Sequence, residues 1–349
     1  LRVDFLNDPL NTIQRVAIAR PFYELQQNSG YAIDVRKFSG RRDIYNDSLK
    51  IGESMFDGDV VLSSFAYRFG SYNRKLTLQA THNYRFERNS DKRIFYTNSE
   101  DSALAVASFP DDSLYHELGV ESDFSKFSYI KLRNIDGFKY TEDYVLGFFA
   151  GVKYRRAFLS DFKDYHFDIG GASVSWYWSR GSDLFLVDYG HTVWFRGDDM
   201  LRHFTNFRCK YYSRVSDHVT LAIRGGYSSD WDHKGRDNLT LGGTTGIRGY
   251  DKFFRTGDRR FVLNTEARYF SDVTILSAMF GAAVFVYMGS VWKSQQSINF
   301  DQTYGSAGVG LRIAFEKSTK NIVRLDLAYS EITQWEFSIG TNQYFLSTR

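Results

Sequence analysis

Between Lys75 and Glu87 the chain alternates without interruption. Leu76, Leu78, Ala80, His82, Tyr84 and Phe86 fall on one side, and Lys75, Thr77, Gln79, Thr81, Asn83, Arg85 and Glu87 on the other. Successive strand side chains point to opposite faces, so this period predicts a strand with one apolar and one polar wall. The pattern returns where Tyr144, Leu146, Phe148, Ala150, Val152 and Tyr154 alternate with Gly147, Gly151, Lys153 and Arg155. It returns again where Leu201, Phe207, Cys209 and Tyr211 alternate with Arg202, Asn206, Arg208 and Lys210, and where Val323, Leu325, Leu327 and Tyr329 alternate with Arg324, Asp326 and Ser330.

Read this way, the chain predicts sixteen strands, near 13–21, 30–40, 55–69, 72–88, 113–123, 126–136, 143–157, 165–180, 182–196, 200–213, 217–230, 258–271, 274–288, 304–316, 320–330 and 334–345. Many reach the roughly 9–11 residues that a tilted strand needs to cross a bilayer. Short connections (70–73, 180–182, 317–320) are interspersed with long ones (89–112, 231–257, 293–303). An even number of antiparallel strands can close on itself and satisfy its backbone without water, and short turns on one side with long loops on the other suit such a barrel. The expected fold is an all-β, sixteen-stranded antiparallel transmembrane β-barrel occupying residues 1–349 as one domain. A soluble β-sandwich also alternates faces, but does not normally need sixteen long strands in one unbroken domain. No fixed-period repeat points to a solenoid or propeller.

Composition agrees. Aromatic residues make up 17% of the 349, and there are 28 Gly but only 3 Pro, a mix suited to strands and tight turns. The longest apolar stretch, about 145–152, is far short of the roughly 18 residues of a membrane helix. The net charge of +3 gives no reason to expect nucleic acid. One cysteine, Cys209, allows neither an internal disulfide nor a cysteine metal cluster. No metal and no cofactor are expected. The chain does not begin with Met and shows no signal peptide, which suggests a mature or trimmed product.

Residues 241–270 read LGGTTGIRGYDKFFRTGDRRFVLNTEARYF. Ile247-Arg248-Gly249-Tyr250 resembles the [V/I]RG[Y/F] motif of the outer-membrane assembly and secretion barrels, the superfamily that includes BamA, TamA and the two-partner-secretion transporters. In that family the motif sits on a long loop after the eleventh strand and folds back into the lumen. Glu266-Ala267-Arg268-Tyr269, Gly308-Val309-Gly310-Leu311-Arg312 and Arg324-Leu325-Asp326-Leu327-Ala328 resemble later family strands. The resemblance covers nearly the whole chain and is concentrated in 240–330. It implies that 231–257 enters the lumen and that Arg248, Gly249, Tyr250, Glu266 and Tyr287 form a loop lock. Glu266 shares its strand's polar face with Asn264 and Arg268, where it can meet the Arg248 guanidinium through a charge-assisted pair. The family usually carries Phe-x-Asp-x-Gly on the thirteenth strand. Here Phe285-Val286-Tyr287-Met288-Gly289 puts a phenol where the Asp is expected, so the lock would be weakened or rest on Glu266 alone. Family members also carry periplasmic POTRA domains, and none is expected within this chain, because strand pattern occupies it from about residue 13.

The resemblance further implies a weak lateral seam between first and last strands, here Val16 and Ile18 against Phe337, Ile339 and Gly340. A weakly paired edge can template an incoming strand. The function implied is assembly, insertion or translocation of polypeptide at the bacterial outer membrane. Its partners would be membrane lipids including lipopolysaccharide, client outer-membrane or secreted polypeptides, and accessory lipoproteins or other subunits. A second reading is an accessory or anchoring barrel, or an anion-leaning pore. It rests on a polar face carrying Arg85, Lys153, Arg155, Arg208, Lys210, Arg268, Arg312 and Arg324, which Glu87, Glu266, Glu316 and Asp326 offset in part. Catalysis is not expected. The seven histidines are scattered, Asp188 and His191 fall on opposite strand faces, and neither Gly-x-Ser-x-Gly nor His-Glu-x-x-His occurs. Trp176, Trp178, Trp194, Trp292 and Trp335 suit interfacial girdles.

Overall fold

The computed structural model describes all residues except 1, 8–10, 25, 47–48, 96–98, 111, 139, 160–165, 232–238, 244–245, 294–301, 316–321 and 346–349. Glu316 therefore lies outside the described residues. The strands are β1 (Arg2–Asn7), β2 (Asn11–Arg20), β3 (Ser29–Asn46), β4 (Leu49–Ser71), β5 (Arg74–Ile94), β6 (Ser113–Arg133), β7 (Thr141–Leu159), β8 (Phe167–Arg180) and β9 (Asp183–Arg196). They continue with β10 (Asp199–Arg214), β11 (Val219–Trp231), β12 (Leu239–Leu241), β13 (Arg255–Gly257), β14 (Arg259–Ile275), β15 (Ala278–Trp292), β16 (Tyr304–Phe315), β17 (Ile322–Ser330) and β18 (Gln334–Thr341). A single helix is described, α1 (Ser99–Ser108), in the β5–β6 connection. It sets Ala105, with Phe109 just beyond it, against Ile44 and Ile51 of β3 and β4.

Sixteen of these strands form one antiparallel sheet in chain order, with β11 pairing directly to β14, while β12 and β13 make a separate two-stranded ribbon. The total matches the sequence expectation, but two strands differ. Residues 113–123 and 126–136 are not two strands; they are the single strand β6, paired without a register shift to β7. The turn-like Glu121-Ser122-Asp123 stretch stays extended because both neighbours hydrogen-bond to it. The other strand is β1, which the alternation did not predict and which pairs with β2 from Arg2↔Ala17 to Asn7↔Thr12.

This moves the sheet edge. Val16 and Ile18 lie on β2, between β1 and β3, and so are not at a seam. The end strands are β1 and β18, each paired to one neighbour among the described residues. β18 also stops at Thr341 rather than 345, where Asn342 takes a φ of +65° and turns the chain away.

The two faces are distributed inside out. Val120 and Val152 are each 60% exposed and Val284 58%, whereas Glu266 and Asp326 are 0% and Arg268 and Arg312 1% exposed. Apolar side chains thus cover the outer face while charged ones fill the inner, the reverse of a water-soluble sheet. One irregularity crosses this order. Tyr144 is buried and Val145 exposed, yet Phe148, Val152 and Tyr154 are exposed, so the faces exchange at Gly147. Gly147 has φ +139°, a backbone that L side chains rarely adopt. The single apolar face expected for 144–154 is therefore two half-faces.

The sheet curls until distant strands face one another. Thr220 of β11 donates to the Asn134 carbonyl in the β6–β7 turn at 2.5 Å, and Tyr45 of β3 stacks on Phe253, in the connection between β12 and β13, at 4.9 Å between ring centres. The largest core cluster draws Tyr144, Leu184, Tyr212, Ala222, Ile247, Tyr250, Val262 and Phe285 onto this inner face.

Candidate functional site

Between β11 and β14 the β12–β13 ribbon carries 242–243 and 246–254 across the inner face. Within that segment the Gly246 and Ile247 amides donate to the Gly242 carbonyl at 3.0 and 3.1 Å, and the Gly243 amide donates to the Tyr250 carbonyl at 3.0 Å. Gly249 has φ +85°, and a Cβ there would stand 3.2 Å from the Ala328 Cβ and 3.3 Å from the Ser306 Cβ. Glycine thus allows both the left-handed backbone and the close approach to β16 and β17. Ser330 Oγ donates to the Gly249 carbonyl at 2.8 Å, and the Tyr250 hydroxyl to the Gly305 carbonyl at 2.7 Å. Tyr250 packs against Phe254 at 4.5 Å.

These contacts deliver Arg248 into a buried polar cluster. Its Nη1 donates to Asp326 Oδ2 at 2.5 Å, and its Nη2 donates to Glu266 and to the Tyr287 hydroxyl. The Tyr287 hydroxyl in turn donates to Glu266, so one phenol both accepts and donates. The guanidinium also lies 3.6 Å from the Phe285 ring centre and 4.7 Å from that of Tyr344. Burial works against the charge of Arg248, but Tyr287, Glu266 and Asp326 outweigh it and hold its pKa above the ordinary arginine value. Glu266 is shared with Arg268 at 2.8 Å, and Asp326 with Arg312 at 2.6 Å and Arg324 at 2.8 Å.

Asp326 changes the expectation drawn from Tyr287. Arg248 does not rest on Glu266 alone, because β17 supplies a second buried carboxylate. Asp326 was legible as an acid on a polar strand face, but not as a partner of Arg248, since nothing local fixes that register.

Two further segments complete the cluster. Beyond β18 the tail turns inward: Gln343 Oε1 accepts from Arg312 Nε at 3.0 Å, the Phe345 carbonyl accepts from Arg268 Nη2 at 2.7 Å, and the Tyr344 hydroxyl donates to the Gly243 carbonyl at 2.8 Å. Burial pushes the Tyr344 phenol pKa up, so the phenol stays neutral. From the opposite side, the β6–β7 turn offers the Ile135 carbonyl and Asp136 Oδ1 to Arg268 Nη1 at 2.9 and 3.0 Å. Sequence reasoning placed 134–136 and 342–345 within strands and so missed both.

Of the remaining expected residues, Phe337 and Ile339 are exposed on β18. Gly340 faces Arg324 across the ladder, and a Cβ there would come within 2.6 Å of Arg324 Nη2, so this glycine makes room for a guanidinium. The basic face is largely paired: Arg85 with Glu87 at 2.6 Å, Arg155 with Glu117 at 2.9 Å and with Glu121, and Arg208 with Asp188 at 3.2 Å. Lys153 lies over Gly171, and Lys210 faces Arg224 across β10 and β11. Glu117, Glu121, Asp136 and Asp188 join the expected counter-ions, and the charge offset is broader than the sequence reading allowed.

No family model matches the chain, and no curated protein matches it. Among solved structures it is similar to CdiB from Acinetobacter baumannii, with TM-score 0.46 and 12% identity over 97% of this chain and 58% of that one. It is also similar to BamA from Haemophilus ducreyi lacking POTRA domains 1–3, with TM-score 0.44 and 12% identity over 97% and 75% of the two chains. For CdiB from Escherichia coli the TM-score is 0.42 and the identity 12% over 98% and 66%. The chain thus spans little more than half the length of the Acinetobacter protein.

Proposed function

We propose that this chain is a sixteen-stranded β-barrel of the bacterial outer membrane, of the BamA and TamA type, which inserts or translocates polypeptide. One observation carries the membrane reading: valines, leucines and aromatics are exposed over the outer face while arginines and carboxylates are buried on the inner. An exposed apolar surface of this extent needs a lipid solvent, and a sheet meets lipid only by closing its edges. On this reading the inner face is a lumen, and 242–254 is a lumen-inserted loop carrying the IRGY motif. No catalytic role is proposed. The surroundings would be membrane lipids including lipopolysaccharide, and the partners client polypeptides and accessory subunits.

The assembly reading is supported by the motif resemblance and by the end strands. β1 and β18 each have one partner among the described residues, and both present exposed apolar side chains, Phe5 on one and Phe337 and Ile339 on the other. Such edges are templates for an added strand. The test is a disulfide between cysteines introduced on β1 and β18, in protein reconstituted into vesicles with an outer-membrane client. Oxidation should halt client insertion and reduction restore it. Insertion that continues with the strands locked would sink the proposal. An accessory or anchoring role is the second reading, favoured by the three segments that fill the inner face.

A further inference from the structure

We propose that the inner face of β10, β11 and β14 binds a phosphate-type oxyanion, held chiefly by Arg224 and Arg260. The site rests on the reading of this face as the interior of a barrel. Its basis is a departure from the rest of the inner wall. Many cations of this wall meet carboxylates: Arg15 and Arg36 share Asp34, Arg155 has Glu117, Arg202 has Asp230, and Arg312 and Arg324 share Asp326. At Arg224 on β11 and Arg260 on β14 the pattern breaks. Arg224 stands directly across the ladder from Lys210, a like-charge pair on one face. Like charges so placed destabilise a sheet unless something negative lies between them. Arg260, also on the inner face, adds a third positive charge, and the members of this group repel one another.

Among the described residues no carboxylate lies within ion-pair distance of Arg224 or Arg260. The Arg224 Nε is buried without a hydrogen-bond partner among them. Arg260 gives its Nη1 to the Thr240 carbonyl at 2.9 Å, a neutral acceptor. Two guanidinium forks on one wall suit a tetrahedral anion with several acceptor oxygens, because guanidinium pairs with phosphate through two parallel hydrogen bonds. A carboxylate side chain beside these two arginines would neutralise them, as Asp326 does for Arg312 and Arg324. Chloride has neither the geometry nor the number of acceptors.

The phosphate could be free or borne on a lipid headgroup. The experiment is calorimetric titration of inorganic phosphate into the full chain in detergent micelles, with sodium chloride at matched ionic strength and sodium acetate as controls. Saturable binding of phosphate, absent with chloride, is expected. Arg224→Gln and Arg260→Gln should each weaken it about tenfold or more, the loss that follows from one charge-assisted bond. Arg85→Gln, whose residue is paired with Glu87, should leave it unchanged. Arg224→Lys, which keeps the charge without the fork, should weaken it less than Arg224→Gln; this covers the case where Arg224→Gln does not fold. Lipid phosphorus that co-purifies and is displaced by inorganic phosphate would identify a headgroup, and binding without it a free anion. Phosphate heats equal to chloride, or an affinity unmoved by both glutamine variants, would overturn the site. So would saturation by acetate but not phosphate. Insertion of the same preparation into vesicles is scored separately, so that failure there counts against the barrel and not against the anion site.

Discussion

Asp326 lies where three guanidinium groups converge, those of Arg248, Arg312 and Arg324, and it is fully buried. Removing its charge leaves those cations facing one another, whereas removing Arg248 leaves Glu266 with Arg268 and Asp326 with two arginines. The ranking is therefore unequal. Asp326→Asn should cost about 3–5 kcal/mol, the range for breaking a buried pair, and Arg248→Ala clearly less. Equilibrium urea unfolding in micelles checks the order, and an equal or reversed ranking would mean that Asp326 does not organise the cluster. Much of this site was legible at the residue level. Arg248, Gly249, Tyr250, Glu266 and Tyr287 were expected together from the motif, and they meet in space. The role of Asp326 was not legible, because Arg248 and Asp326 are 78 positions apart and meet only through the register of four strands.

At the scale of elements, alternation marked the middle of most strands but not where the chain leaves the sheet. Asn134 and Asn342 both adopt positive φ, and each turns a polar-flanked aromatic or aliphatic segment inward, Ile135 to Phe138 in one case and Tyr344 with Phe345 in the other. A period of two cannot separate such a segment from one more strand turn, because the pattern does not tell which way its apolar residues face. β1 escaped notice because six residues, two of them Asp4 and Asn7, carry little alternation. Alternation also assumes that a face persists, and Gly147 breaks that assumption. Its φ of +139° opposes any L side chain, and a Cβ there would overlap the Lys126 carbonyl oxygen. Gly147→Ala should therefore destabilise by more than about 1 kcal/mol. Gly190 is the control, since nothing lies within 4 Å of a Cβ placed there. Gly190→Ala should leave the unfolding midpoint within experimental scatter. Matching midpoints for the two variants would mean that the face exchange at Gly147 does not depend on glycine.

Over the whole molecule the inner face divides in two. Over part of β11 and β14–β17 it is covered by 242–243, 246–254, the β6–β7 turn and the tail, which meet Arg248, Arg268 and Arg312. Across β6–β10 the described residues leave a groove of about 330 Å³ whose lining includes Glu121, Asp123, Lys153, Ser173 and Asn206. If the sheet closes in a bilayer, conduction is limited to that open half, and charge pairing along the wall leaves little preference for anions. The tail is the piece that can be removed without touching a strand. Deleting 343–349 takes the Gln343 acceptor from Arg312, the Phe345 carbonyl from Arg268 and the Tyr344 ring from Arg248, while β18 keeps its ladder to β17. Single-channel conductance in planar bilayers should then rise, with more anion selectivity than in the intact chain, because guanidinium groups are uncovered. Unchanged conductance would place the constriction in 242–254 instead. Loss of insertion would assign the tail to folding rather than to closure. A conductance gain without a selectivity change would mean that Glu266, Asp326 and Asp136 neutralise the exposed arginines unaided.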